Sequence, residues 1–256
     1  MALLVERNGD VVHLVLDRPN AYNAIDPTLR DELLAALETA EAEKTRCLLV
    51  RGNGRGFCAG MDLKAAAGLR GTAVTETMRR SSGLLTERFL ATPVPVVAAV
   101  HGVCAGLGLT LALGADHCVA ATDARFVAAF LSRSIVPDGA ATYLLPRLIG
   151  TARARRMLLF GEAIGGQEAA DIGLIGESSA PGELLETAQA RAEQLATMPT
   201  QALAYTKSLL RRSFELDIAS LLFEERNGQG LISTTADYAE GSAAFVEKRP
   251  PRFTGG

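Results

Sequence analysis

This chain of 256 residues has no marked excess of either charge: 26 Lys and Arg stand against 29 Asp and Glu, for a net charge of −3. That balance gives no electrostatic footprint for a nucleic acid, and Arg153, Arg155 and Arg156 read as a solvated helix face. Its four cysteines, Cys47, Cys58, Cys104 and Cys118, lack the close spacing of a zinc site and do not look like a disulfide framework. No run reaches the roughly 18 apolar residues that a membrane span needs. The longest stretch, Val94 to Leu113, is interrupted by Pro95, His101 and glycines. The first residues carry Glu6 and Asp10 without a long apolar stretch, so they do not resemble a signal peptide, and the expected location is cytoplasmic.

What is present is a globular composition, 48% hydrophobic and 21% charged. The length suffices for one large domain or a domain with an appendage. Val11 to Leu16 has a strand pattern and stops at the turn Asp17-Arg18-Pro19-Asn20. Asp26 followed by Pro27 predicts a capped helix start, and Leu29, Leu33, Leu37 and Ala40 give that helix an apolar face. Cys47 to Arg51 is predicted as a buried strand, residues 68–80 as a flexible stretch, and Ser81 to Leu90 as a helix. Further strands are predicted at His117 to Ala121, Arg125 to Ala128 and Leu174 to Glu177. Helices are expected on both sides of a break at Gly150. From Pro181 onward the pattern is almost entirely helical. Alternating strands and helices predict an α/β fold, and the helical tail predicts a separate packing role.

Two glycine-rich turns carry most of the chemical information: GFCAGMDLK, Gly56 to Lys64, and AVHGVCAGLGLTLALGAD, Ala99 to Asp116. The second reads as strand, tight turn and helix start. A helix start presents backbone N–H groups without intrahelical partners, with the positive end of the helix dipole behind them. If the first turn aims another N–H at the same point, the pair forms an oxyanion hole, suited to acyl-group chemistry.

Other constellations are weaker. Gly52, Gly54 and Gly56 lack the Lys-Ser/Thr of a phosphate loop and the spacing of a dinucleotide turn. His13, His101 and His117 leave a Ser-His-Asp triad formally open, but no G-x-S-x-G elbow is present. His101 reads as structural or as a supporting donor. Asp138 has two readings. Flanked by Ile135, Val136 and Pro137, its carboxylate could be partly desolvated and so suited to proton transfer, or it could simply cap a helix starting at Gly139.

The two turns, together with Asp17-Arg18-Pro19, Asn23-Ala24, PDGAATYLLPRLIG (Pro137 to Gly150), Gly161 to Leu174 and AFVEKRPPRF (Ala244 to Phe253), resemble the crotonase, or enoyl-CoA hydratase/isomerase, superfamily over essentially the full length. The resemblance implies an α/β crotonase-like spiral of strand–strand–helix units. Residues 1–198 would form the core with the CoA and oxyanion-hole site, and residues 199–256 a C-terminal helical oligomerisation region. It also implies an acyl-CoA thioester substrate, no metal or redox cofactor (CoA being part of the substrate), and a homotrimer or dimer of trimers. By the same resemblance the oxyanion-hole amides fall on Met61 and Leu107. The CoA arm would run along Ala24, Ala59, Met61, Asp62, Leu63 and Lys64, with Phe245 and Lys248 reaching CoA on a neighbouring subunit. Leu107 departs from many relatives, which carry glycine there, so the turn must tolerate a side chain.

Larger departures bear on the reaction. The positions of the two hydratase glutamates correspond to Thr110 and Phe130, leaving Asp138 as the acid. One carboxylate suffices to shift a double bond, removing a proton from one carbon and returning it to another while the hole holds the enolate. Thr110, Asp138 and the ending Ala236-Asp237-Tyr238…Phe253-Thr254-Gly255 are similar to ring-1,2-epoxyphenylacetyl-CoA isomerases, which implies an isomerase of fatty-acid or phenylacetate catabolism. In that reading Thr110 is a polar helper and Phe130 a pocket wall. Three alternatives remain: a hydratase using water held by Thr110, Glu76 or Glu87; a non-catalytic CoA-ester-binding oligomer; and an aspartate-dependent dehalogenase, disfavoured because tryptophan is absent and no histidine lies between residues 62 and 100.

Overall fold

The computed structural model describes the backbone of residues 1–256 and every side chain except those of Ala65 and Ala66. In chain order the elements are β1 (Leu3–Asn8), β2 (Val11–Leu16), α1 (Pro27–Ala42), β3 (Cys47–Gly52), α2 (Thr72–Met78), α3 (Leu84–Ala91), β4 (Val96–Val100), β5 (Val103–Ala105), α4 (Leu107–Gly114), β6 (His117–Ala121), β7 (Arg125–Val127), α5 (Ala141–Phe160), β8 (Ile164–Gly165), α6 (Gly166–Asp171), β9 (Glu177–Ser179), α7 (Leu184–Ala196), α8 (Thr200–Arg212), α9 (Ile218–Ile232) and α10 (Ala236–Glu247).

Two sheets organise the core. The larger has the order β1-β2-β3-β4-β6-β9 and the smaller β5-β7-β8. The β1–β2 pair is antiparallel, and every later pair in the large sheet is parallel. Parallel central strands are covered on both faces and so read as continuous apolar runs. β2 and β4 fit this, with every residue buried. Twice the chain leaves a strand of the large sheet, turns, and enters the small one: β4 to β5 through His101-Gly102, and β6 to β7 through Thr122 to Ala124. Gly102, at φ +53°, makes the first crossing possible, since a Cβ there would lie 2.2 Å from the Arg55 carbonyl oxygen. After β3 the chain repeats the crossing in reduced form, Cys58 bridging to Cys104 of β5. This repetition is the strand–strand–helix spiral.

Asp26 caps α1, accepting from Leu29 N at 2.8 Å, with Pro27 at the first position as the sequence predicts. Gly150, at φ +73° and ψ 162°, breaks α5 where the break was expected. Two expectations are corrected. Much of residues 68–80 is helical: α2 occupies Thr72–Met78 and runs into a π turn at Arg79–Gly83. The local reason is charge pairing, because Glu76 Oε1 accepts from both Arg79 and Arg80 one turn on. The strand expected at Leu174 to Glu177 lies instead at Glu177–Ser179. Leu174 and Ile175 are buried in the turn before it, and Gly176 packs so close to the His117 ring that a Cβ would meet it at 2.2 Å. β1 is an additional strand that the pattern did not reveal.

Candidate active site

The first glycine turn is held by a set of backbone hydrogen bonds. Phe57 N donates to the His101 carbonyl (2.8 Å), Cys58 N to Val103 (3.1 Å), Ala59 N to Tyr22 (2.9 Å) and Asp62 N to Ile25 (2.9 Å). Ile25 N in turn donates to the Gly60 carbonyl at 2.8 Å, completing a parallel bridge between Ile25 and Met61. In that pattern the Met61 N–H points away from Ile25, and among the described residues it has no backbone acceptor.

The second turn brings α4 to the same place. Gly106, at φ +53°, precedes the helix, and Thr110 N is the first amide to close a helical turn, on the Gly106 carbonyl. Leu107, Gly108 and Leu109 therefore present first-turn amides. A Cβ on Gly60, at φ +97°, would lie 3.1 Å from Leu107 N and 2.9 Å from the Ala105 carbonyl oxygen. A Cβ on Gly108 would lie 2.5 Å from the Cys58 carbonyl oxygen. Glycine at both positions lets the peptide carrying Met61 N–H approach the start of α4. Leu107 needs no special backbone, since it begins the helix after Gly106 has made the turn; its side chain is buried. Cys58 beneath the turn is fully buried, which pushes its thiol up to about 12 and removes it as a nucleophile at neutral pH.

The segment carrying Asp138 packs against this helix start. A Cβ on the next residue, Gly139 at φ +58°, would lie 2.5 Å from Thr110 Oγ1 and 2.8 Å from Leu107 Cδ1. Asp138 does not cap a helix starting at Gly139: α5 begins at Ala141, and no side chain caps it. Its carboxyl is half-buried, and burial raises its pKa above the ordinary aspartate range, with the Ser82 side chain acting in the opposite direction. Thr110 is buried and donates its hydroxyl to the Leu107 carbonyl at 2.9 Å, so that proton is committed to the helix. Phe130 is also buried, its ring against Gly106.

A cavity of about 60 Å³ beside the turns is lined by Ile25, Met61, Leu107, Thr77, Ser81 and Leu85, among others. The sequence reading singled out none of Thr77, Ser81 and Leu85: Thr77 fell in the stretch expected to be flexible, and Ser81 and Leu85 in the helix expected at Ser81 to Leu90. It also missed the anchoring role of Asn23. This buried side chain donates to the carbonyls of Asn53 (2.9 Å), Gly56 (2.9 Å) and Phe57 (3.1 Å) and accepts from Arg18 N (2.8 Å). Arg18 braces the other side, pairing with Asp26 at 3.1 Å and Asp62 at 3.2 Å and donating to the Ala24 carbonyl.

Ala24 and Ala59 are half-buried next to this brace, and Met61 to Lys64 continue from it, with Leu63 and Lys64 exposed. These six residues therefore form one strip. Phe245 and Lys248 are not brought to it within one chain. They lie exposed at the end of α10, where Phe245 lines a separate groove of about 630 Å³ between the C-terminal helices. His101 is structural, its Nε2 bonded to the Gly54 carbonyl at 2.9 Å. Glu76 is held by Arg79 and Arg80, which pull its pKa down to about 2, and Glu87 is exposed.

Residues 6–256 match the family model described as enoyl-CoA hydratase/isomerase. The chain belongs to that family. It is 40% identical over 242 residues, 94% of this chain and 93% of the relative, to a Rhodobacter capsulatus protein named "probable enoyl-CoA hydratase". It is 39% identical over 249 residues, 96% of this chain and 95% of the other, to the 1,2-epoxyphenylacetyl-CoA isomerase of Escherichia coli. The fold matches a crystal structure of enoyl-CoA hydratase from Bacillus anthracis with a TM-score of 0.93 at 30% identity, covering 100% of both chains. The chain is thus an α/β crotonase fold of two sheets followed by C-terminal helices, from a family that acts on CoA thioesters. Among the described residues no helix is long and apolar enough to cross a membrane.

Proposed function

We propose that this protein is a CoA-thioester isomerase that moves a double bond, or rearranges an epoxyphenylacetyl-type ring, through an enolate. Asp138 is the acid–base residue, and the Met61 and Leu107 N–H groups receive the thioester oxygen. In the double-bond shift Asp138 takes a proton from the α-carbon of a 3-enoyl thioester. The electron pair spreads to the carbonyl oxygen and the γ-carbon, and Asp138 returns the proton to the γ-carbon, giving the 2-enoyl isomer with no change in composition. What supports this reading is a desolvated carboxyl on the segment packed against the start of α4, with Phe130 and a Thr110 whose proton is already committed at the positions where the family resemblance would put hydratase glutamates.

The CoA arm lies along Ala24, Ala59 and Met61 to Lys64. Assembly is a homotrimer or dimer of trimers through the C-terminal helices, which places Phe245 and Lys248 at a neighbour's CoA. The second reading, hydration of a 2-enoyl thioester, has in its favour the name of the Rhodobacter relative. One experiment separates the two: crotonyl-CoA and 3-hexenoyl-CoA are incubated in deuterated water with the wild type and Asp138→Asn, and the products are separated by chromatography and their masses recorded. Isomerisation gives a new chromatographic species of unchanged composition apart from exchanged hydrogens, whereas hydration adds one water. A 2-hexenoyl-CoA product that disappears in Asp138→Asn supports the proposal; undiminished isomerisation by that variant, or hydration alone, overturns it.

A further inference from the structure

The chain around Ile25 and the chain around Met61 meet in a short parallel bridge. Ile25 N donates to the Gly60 carbonyl at 2.8 Å, and Asp62 N donates to the Ile25 carbonyl at 2.9 Å. Two backbone hydrogen bonds are a slight hold for a junction with a task. The outward amide of this bridge is Met61 N–H, and a group that meets a reacting atom has to be held to within about 0.5 Å by what surrounds it.

One side chain grips both segments. Arg18 donates from Nη1 to the Ala24 carbonyl, and its Nη2 pairs with Asp26 Oδ2 at 3.1 Å and with Asp62 Oδ2 at 3.2 Å. Its three acceptors are the chain neighbours of the bridged pair: Ala24 and Asp26 on either side of Ile25, and Asp62 next to Met61. Each carboxylate spends its other oxygen on a turn amide. Asp26 Oδ1 accepts from Leu29 N at 2.8 Å, and Asp62 Oδ1 accepts from Lys64 N at 3.2 Å. Arg18 is itself fixed at its backbone, where its N–H donates to Asn23 Oδ1 at 2.8 Å and its carbonyl accepts from Asn23 N at 2.9 Å. The three charged side chains are largely shielded, between 17% and 24% exposed, so their attraction is screened less than that of a surface pair. A planar guanidinium can serve several acceptors at fixed angles, which a lysine ammonium on its flexible stem does not.

We propose that Arg18 is the positioning residue of the oxyanion hole: its guanidinium locks the Ile25–Met61 bridge in register and so aims the Met61 N–H at the thioester oxygen. This rests on the Met61 amide being one of the two donors. Without Arg18, Asp26 and Asp62 lose the cation they share and face each other as like charges from the two sides of the bridge. Their repulsion acts to part the segments and turns the Met61 amide from its line.

The test uses butyryl-CoA labelled at the carbonyl carbon, a thioester with no double bond to move. Infrared difference spectra of its complexes are recorded for the wild type, Arg18→Ala and Arg18→Lys, together with kcat and KM for 3-hexenoyl-CoA and thermal midpoints. In the wild type the bound carbonyl stretch is expected at lower wavenumber than in free butyryl-CoA, because hydrogen bonds to the oxygen weaken the C=O bond. In Arg18→Ala that displacement is expected to shrink and kcat to fall about tenfold, part of the roughly 10²–10³-fold that loss of a whole oxyanion donor costs. Arg18→Lys keeps a cation between the carboxylates without the fork and is expected to lie between the other two. A carbonyl displacement in Arg18→Ala as large as in the wild type overturns the inference, even if the thermal midpoint falls, since a brace of the fold alone would lower only the midpoint. A rise in KM with kcat unchanged overturns it as well. Failure of the oxyanion-hole reading has a different signature: the carbonyl stretch would not move on binding to the wild type.

Discussion

Asp138 is the residue at which function and stability oppose each other. Folding raises its pKa through burial, so the folded state is disfavoured by the charge. The sign follows from linkage: stability is full below the unfolded pKa near 4 and is lost as pH rises through the raised folded value. Asp138→Asn is therefore expected to raise the thermal midpoint at pH 7 and to leave it near wild type at about pH 3, while activity falls by about 10³-fold, the midrange for a removed acid–base group. A midpoint at pH 7 below that of the wild type would contradict the desolvation account. Gly60→Ala tests the oxyanion hole from its backbone. The added Cβ would press on Leu107 N at 3.1 Å and on the Ala105 carbonyl, in a φ region that disfavours side chains. A loss of about 10²-fold in kcat is expected from displaced oxyanion donors, measured alongside circular dichroism to show that the fold persists. Partial desolvation of Asp138 was one of two readings of its sequence, but not for the reason offered: Val136, next to it, is 80% exposed, so chain neighbours alone do not account for its burial. Asn23 was not legible: a buried amide tying three carbonyls of a loop thirty or so residues away declares itself only once the chain is folded.

At the level of elements, legibility followed locality. α1 and the break in α5 were readable because Asp26-Pro27 and Gly150 act on their own backbone. β1 was missed because most of its side chains are exposed and show no alternation; pairing with β2 makes it a strand. The helical form of residues 72–80 escaped a reading based on small polar residues, since it depends on the Glu76 pairs. The C-terminal tail shows the same dependence on partners. Asp237 is buried and accepts from Thr254 N at 2.7 Å and Gly255 N at 2.9 Å. Arg46, next to the start of β3, bonds to Thr200 Oγ1 at 2.6 Å and the Phe253 carbonyl at 3.4 Å. This clamp joins α10, the start of α8 and the large sheet. Asp237→Ala removes the acceptor of two tail amides, and a loss of about 1–3 kcal/mol is expected for each one left buried and unpaired. Urea denaturation would show it as a lower midpoint with an unchanged slope; an unchanged midpoint would mean the tail contributes nothing to the fold.

At the scale of the whole molecule, the two sheets bury the spiral, but the C-terminal helices are left short of partners. α8 has no buried residue, and α9 buries only Gly228. Phe214, Ile218, Phe223, Phe245 and Val246 remain more than half exposed, from 56% at Phe223 to 86% at Phe245. A monomer seldom presents so many large apolar groups in one region, because a contiguous patch of a few hundred Å² already favours association. The proposed trimer would bury them, at roughly 800 Å² per partner for an ordinary stable interface. Sedimentation velocity is therefore expected to give the mass of a trimer or of paired trimers for the wild type, and a lower mass for the double variant Ile218→Asp, Phe223→Asp. These two positions are exposed in the single chain, so the charges cost little in an isolated subunit but would be forced into apolar contact on assembly. If Phe245 and Lys248 serve a neighbour's CoA, dissociation should also raise KM for the acyl-CoA while Asp138, Met61 and Leu107 keep their geometry. A wild type that sediments as a monomer, or a dissociated variant with unchanged KM, would confine the CoA site to the strip from Ala24 to Lys64 within one chain.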